Sequence, residues 1–243
     1  MVESFLIIGG SSDIAMLLAK QLDESGHKVT LLARDISRTS KLQETGIDVV
    51  QGDALESEAL QLAIEQAKIN GNGKISGAAH LVGSILLKPP HALKVEDFEE
   101  VITTNLTSAF LALSLTCKAM LRSGGGRMIF TSSVAGSLGL VNHEAIAAAK
   151  GGIESMVRSA AATYAQRKIR INAVAPGLTE TRLTESLLRS EAMKESAISM
   201  IPMKRINQPE EIATTIHWLL TKAPDDLTGQ VINLDGGMAN VRN

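Results

Sequence analysis

FLIIGGSSDIAMLLAKQL, residues 5–22, opens on Phe5-Leu6-Ile7-Ile8, a short continuous apolar run with the pattern of a strand buried on both faces. Gly9-Gly10-Ser11-Ser12-Asp13 follows, and then a helical run from Ile14 to Leu22. Strand, glycine turn and helix in that order make a phosphate-binding arrangement. Glycines allow close backbone approach, and the helix N-terminus offers free N–H groups and a partial positive charge. Asp13 caps or begins that helix. An ordinary strand–turn–helix connection reads the same way over so short a stretch, so the rest of the chain must decide.

A second apolar strand, residues 29–33, is followed directly by Arg34. In a dinucleotide fold this strand end faces the adenosine ribose. An acidic residue there accepts from the ribose hydroxyls, whereas an arginine favours a 2′-phosphate. Arg34 therefore points to NADP, with NAD as the other possibility; its plainer role is a surface arginine closing a strand. Residues 47–50 read as a third strand, followed by Asp53-Ala54 and a helix over 55–68. A fourth strand over 75–82 ends at Gly83 and contains His80, read as a satisfied buried histidine. After the Pro89-Pro90 loop, residues 95–121 read as one long helix. It contains Asn105, which needs a partner if buried.

Residues 128–131 make a fifth strand, and a helix follows over about 144–166. A sixth strand, 169–174, closes at Pro176-Gly177, and a polar segment, 178–200, reads as helices over the site. Leu183, Leu187, Leu188 and Met193 give that segment an apolar lid character. A helix over 209–220 and a strand over 231–234 complete the chain. Strands alternate with helices throughout, with no repeat or linker. That pattern predicts an α/β fold: one doubly wound Rossmann domain over residues 1–243, with seven parallel strands in order 3-2-1-4-5-6-7 and the glycine turn at the switch point.

The totals narrow the function. A length of 243 residues suits one large α/β domain or two small ones. A net charge of -2 gives no reason to expect nucleic acid or an anionic membrane as partner. Aromatic residues are only 2% of the chain, so stacking platforms for single strands are not expected. Cys117 is the single cysteine and cannot form an internal disulfide, which fits a reduced, cytoplasmic compartment. The apolar run at residues 5–8 is too short for a signal peptide, and polar residues interrupt 106–121, which reads as a buried helix rather than a membrane span. No metal site is expected.

TSSVAGSLGLVNHEAIAAAK, residues 131–150, carries the chemistry. Ser132-Ser133 ends a strand, and Lys150 follows Ser133 by seventeen residues inside an Ala-rich helix. Over essentially its whole length the chain resembles a short-chain dehydrogenase/reductase. That family's Thr-Gly-x-x-x-Gly-x-Gly corresponds to residues 8–15, where Gly9 is kept but Asp13 and Ala15 replace the later glycines. Its Asn-Asn-Ala-Gly is reduced to His80-Leu81-Val82-Gly83. Asn105 in TTNLTSAF, Ser133 in TSSVAG and Lys150 in AAAKGGIE match the catalytic asparagine, serine and lysine. INAVAPGLTET and LTGQVINLDGGM match the nicotinamide loop and the last strand.

The resemblance implies a dinucleotide held by Gly9, Ser11, Ser12, Asp13, Ile14, Arg34, Asp53, Ala54, Val82, Gly83, Lys150, Pro176, Gly177, Thr179 and Thr181. It also implies a small-molecule substrate and a homotetramer or homodimer, with the helices over 95–121 and 144–166 as the self-associating surface. It places a tyrosine four residues before the lysine, where this chain has Ile146. Residues four apart share a helix face, so a lysine there would lower the tyrosine's pKa from about 10. Ile146 has no exchangeable proton. Tyr164 is the single tyrosine, and at 1.5 Å per residue it lies about 21 Å beyond Lys150. His143, seven residues before Lys150 and on the same face, carries a side chain able to act as acid or base and is a candidate proton carrier. Two helical turns separate it from the lysine by about 10 Å, so the preceding loop would have to fold it inward. Two functions follow: an NADP(H)-preferring oxidoreductase whose proton comes from His143 or from water ordered by Asn105, or a dinucleotide-binding pseudoenzyme acting as sensor or scaffold.

Overall fold

In the computed structural model, residues 2–241 are described. Seven parallel strands form one sheet in the order β3-β2-β1-β4-β5-β6-β7, the expected order. The strands are β1 Ser4–Ile8, β2 Lys28–Ala33, β3 Asp48–Gln51, β4 Gly77–His80, β5 Gly126–Thr131, β6 Ile169–Pro176 and β7 Val231–Leu234. Every residue of β1 and β4 is buried, as their unbroken apolar or small sequences require for strands covered on both faces. β1 pairs with β2 on one side and β4 on the other, so the chain reverses its winding between β1 and β4. The crevice at their C-terminal ends is where a doubly wound sheet takes its ligand.

The helices are α1 Asp13–Glu24, α2 Ser40–Glu44, α3 Ser57–Asn70, α4 Val95–Ile102, α5 Ser108–Ser123, α6 Glu144–Tyr164, α7 Glu191–Ser199 and α8 Pro209–Thr221. Alternation along the strands divides the core. Leu6, Ile8, Ala78, Met128 and Phe130 face α3, α5 and α6, while Phe5, Ile7, Ala79 and Ile129 face α1 and α8. Full burial of one such leucine, isoleucine or phenylalanine contributes about 1.5–3 kcal/mol. No helix among the described residues is long and apolar enough to cross a membrane.

The expectation of one unbroken helix over 95–121 needs correction. α4 and α5 are joined by a single wide turn, Thr103–Thr107, with π-type hydrogen bonding in which the Ser108 N–H reaches back to the Thr103 carbonyl. Asn105 lies in this turn, fully buried. Turns of this kind insert one extra residue into a helix and are frequent where a helix serves a site. Local propensity gives no sign of it, because residues 95–121 contain neither glycine nor proline. α5 ends on Gly124 in the left-handed region, as the glycine run there predicts.

Candidate active site

The C-terminal ends of β1, β4, β5 and β6 carry the expected residues to one edge of the sheet. Gly9 has φ +88°, and a Cβ there would lie 2.8 Å from the Leu81 carbonyl carbon and 2.9 Å from the Val82 nitrogen. Only glycine lets the turn after β1 pack against the segment after β4. Ser12, rather than Asp13, is the N-cap of α1, accepting from the Ala15 N–H at 3.2 Å; Asp13 opens the helix. Beyond β3, Asp53 accepts from the Leu55 N–H at 2.9 Å, and Ala54 is buried.

Asp13 does more than the sequence suggested. Its carboxylate accepts from Arg38 Nη2 at 2.7 Å and from the Arg182 backbone N–H at 2.8 Å. Burial by itself would raise the Asp13 pKa, but these donors outweigh it and hold the carboxyl below its usual value. Arg38 also donates to the Ser11 carbonyl and so lies across the glycine turn. Arg34, the expected phosphate ligand, is mostly exposed and meets Asp53 at 3.5 Å. Arg38 thus lies against the glycine turn, while Arg34 reaches only Asp53 beyond β3. Arg38 was missed because its contacts are 25 and 27 residues distant in the chain. The only available signal was a second arginine shortly after the second strand.

Lys150 is buried, and Nζ donates to the Thr131 carbonyl at 2.8 Å. Burial pushes its pKa down to about 8. Asn105 donates from Nδ2 to the Val101 carbonyl at 2.9 Å and to Ser84 Oγ at 3.0 Å, while Oδ1 accepts from the Ser84 N–H at 3.3 Å. These are the partners a buried asparagine requires. Gly83 stands between the two side chains. A Cβ built on it would lie 3.2 Å from Asn105 Oδ1 and 3.6 Å from Lys150 Nζ. Gly83 is exposed and lies against both groups, so a side chain there would crowd the Asn105 amide.

Ser133 sits at the mouth of this region. It caps the short turn Val134–Gly136 by accepting from the Ala135 N–H at 3.2 Å, and it remains partly exposed. Its neighbour Ser132 is buried and donates to Glu154 Oε1 at 2.9 Å, tying that turn to α6. Ile146, one turn before Lys150, is 4% exposed and packs with Val101, Ala135, Ala145 and Ala149. His143 occupies the N-cap position of α6 and its Nδ1 lies 2.7 Å from the Val141 carbonyl. Among the described residues it makes no side-chain hydrogen bond to Ser133, Asn105 or Lys150.

Beyond β6, Gly177 lies so close to Asp235 that a Cβ would sit 2.9 Å from the Asp235 Cα. Thr179 donates to the Gly177 carbonyl at 3.1 Å, and the Thr181 N–H donates to Thr184 at 3.2 Å, closing the loop after Pro176 on itself. The segment over 178–200 carries a short turn, Glu185–Leu188, and α7, and is moored to the glycine turn through Arg182 and Asp13. Its apolar residues divide: Leu187 and Leu188 are half-buried, whereas Leu183 and Met193 are about half exposed.

A family model described as Enoyl-(Acyl carrier protein) reductase matches residues 9–239. The chain is 33% identical over 235 residues to the 3-oxoacyl-[acyl-carrier-protein] reductase MabA of Mycobacterium tuberculosis, covering 97% of this chain and 92% of that protein. It is 31% identical over 239 residues to a tropinone reductase homolog of Arabidopsis thaliana, covering 96% and 90%. Among solved structures, a variant of actinorhodin polyketide ketoreductase, determined with NADPH, superposes with a TM-score of 0.91 at 25% identity, covering 99% and 98%.

Proposed function

Because the chain belongs to the short-chain dehydrogenase/reductase family of NAD(P)-dependent oxidoreductases, we propose that it transfers a hydride between NADP(H) and a small carbonyl, alcohol or activated alkene. The glycine turn fits a dinucleotide, since no side chain fits at Gly9 and Arg38 lies across the turn. Gly9, Ser11, Ser12, Asp13 and Ile14 would line the diphosphate, Asp53, Ala54, Val82 and Gly83 the adenosine side and the crevice, and Pro176, Gly177, Thr179 and Thr181 the nicotinamide. When bound, the cofactor supplies the hydride.

The observation that carries the reading is that Gly83 lies against both Asn105 Oδ1 and Lys150 Nζ. A water held near these two groups would let the buried lysine pass a proton outward. Ser133 would hold the substrate oxygen. The tyrosine that the resemblance places at position 146 is replaced by a side chain with no proton to give, and Ile146 becomes part of an apolar wall instead. His143 is the other candidate carrier, but its ring would first have to leave the Val141 carbonyl.

A second reading rests on Ile146 itself: the chain binds nucleotide and turns nothing over. Ile146→Tyr separates the two. Overpacking of this kind typically costs about 1–3 kcal/mol of stability, so the variant should melt earlier yet still fold. If wild type turns over, the tyrosine adds a redundant donor and changes the rate little. If only the variant shows NADPH-dependent reduction of simple ketones, the wild type is the pseudoenzyme.

Cofactor preference follows from charge. Arg34 can grip a 2′-phosphate with paired, charge-assisted hydrogen bonds. At about 1.5–3 kcal/mol for hydrogen bonds to a charged group, titration should find NADP(H) bound about 10- to 100-fold more tightly than NAD(H). Arg34→Asp should reverse the order. Equal binding by wild type would remove Arg34 from the site and leave Arg38 as the group to test.

The same reading includes self-association as a dimer or tetramer through α4, α5 and α6. Phe110 and Leu121 are exposed on the outer side of α5, apolar area that a partner subunit would cover. Sedimentation at micromolar concentration should show more than a monomer.

A further inference from the structure

His80 is the last residue of β4 and is completely buried, its ring 5.9 Å from that of Phe130. Its Nε2 lies 3.0 Å from Ser108 Oγ. That hydroxyl has one proton and gives it to the Thr104 carbonyl, 2.6 Å away. Ser108 must therefore accept from the ring, which makes His80 the Nε2–H tautomer and leaves Nδ1 a bare acceptor. Among the described residues Nδ1 has no partner. Burial, with the nearby Lys150 charge, pushes the pKa of His80 down to about 3, so the ring is neutral wherever the protein works. The expectation of a satisfied buried histidine holds for one ring nitrogen only.

Thr104 belongs to the wide turn that carries Asn105, and Ser108 follows that turn as the first residue of α5. We propose that His80 and Ser108 are a positioning pair: through the Thr104 carbonyl they hold the turn open and so aim the Asn105 amide at the point beside Lys150. The catalytic part of this rests on the proposed function; the structural part does not. A wide turn contains one residue more than the regular ladder accommodates. Collapse to regular α-helix would rotate everything downstream by about 100° relative to everything upstream. The Thr104 carbonyl, held by a side chain instead of relying on the helical ladder alone, opposes that collapse. Ser108 takes part only while its oxygen is oriented, and the His80 N–H orients it. A strand end buried in the sheet is a rigid place from which to do this, whereas the resemblance puts an asparagine at position 80, with a shorter reach.

His80→Leu removes the donor, and His80→Gln returns an N–H at similar reach. The two should be compared by amide hydrogen exchange at residues 103–108, by kcat, and by NADP(H) affinity. With His80→Leu, exchange in the turn should speed up by about tenfold or more, since a buried hydrogen-bonding group loses its partner. Over the same change kcat should fall by a comparable factor with nucleotide affinity unchanged, and His80→Gln should recover much of both losses. Ser108→Ala should copy His80→Leu, and Ser108→Thr should copy wild type. Unaltered exchange in His80→Leu, or a loss of kcat that the glutamine does not recover, overturns the proposal. So does nitrogen-15 NMR showing Nδ1–H or a charged ring at pH 7. Should wild type prove to have no turnover, the function fails, and the exchange and NMR results alone decide whether the pair holds the turn.

Discussion

Lys150→Met should lower turnover by about 10²- to 10⁴-fold, the usual contribution of a general acid. Methionine keeps the length and packing of the buried stem and deletes only Nζ, with its bond to the Thr131 carbonyl and its position beside Gly83. The protein should not unfold, because removing a buried charge often leaves stability unchanged or raises it. A thermal melt separates that outcome from simple denaturation. The sign of the pH dependence follows from the same residue. Burial lowers the lysine from 10.5 to about 8, and proton delivery needs the charged form, so kcat/KM for reduction should fall as pH rises through about 8. Stability should move the other way. Between about 8 and 10.5 the unfolded chain holds a proton that the folded chain has lost, so folding gains as pH rises across that window. His143→Ala should leave turnover close to wild type; a loss as large as that of Lys150→Met would return the proton to the histidine.

Gly9→Val should abolish nucleotide binding. The residue has φ +88°, a conformation that costs a β-branched side chain about 1–3 kcal/mol. Its Cβ would also lie 2.8 Å from the backbone of Leu81, which cannot swing aside as a flexible side chain could. Relief requires parting the turn after β1 from the segment after β4, the same junction that opens the crevice. Denaturant unfolding should show a lowered midpoint, and titration of the folded fraction should show no NADP(H) binding. Gly26→Ala is a fitting control. It also has positive φ but meets nothing within 4 Å, so it should lose stability and keep the nucleotide.

Much of this architecture is legible along the chain because the signals are local. The run Phe5-Leu6-Ile7-Ile8, the glycines after it, and the punctuation at Gly124 and at Pro176-Gly177 each specify strand, turn or stop from neighbouring residues alone. Alternation of helices with strands gives a parallel sheet, and the glycine turn after the first strand marks where its order reverses. Asn105, Ser133 and Lys150 are legible as a group only through the resemblance to the family, since they stand on three different elements. The wide turn could not. Residues 95–121 carry an unbroken helical pattern, and the break depends on Asn105 meeting Ser84, 21 residues away, and on His80 meeting Ser108, 28 residues away. The Asp13 junction escaped notice for the same reason, since its partners Arg38 and Arg182 stand 25 and 169 residues off. His143 shows the converse limit. Helical spacing placed it on the lysine's face, but at the N-cap of a helix the side chain answers to the loop, and here it turns to the Val141 carbonyl.

Hydride transfer with isoleucine at position 146 is tested most directly by deuterium transfer from NADPH dideuterated at the nicotinamide C4, with a panel of small ketones, 3-oxoacyl thioesters and 2-enoyl thioesters. Mass spectrometry of the products should find one deuterium at the reduced carbon of at least one substrate with wild type, and about 10²- to 10⁴-fold slower labelling with Lys150→Met. Wild-type protein that binds NADPH yet transfers no deuterium to any of these would contradict the account and leave a nucleotide-binding protein without a reaction.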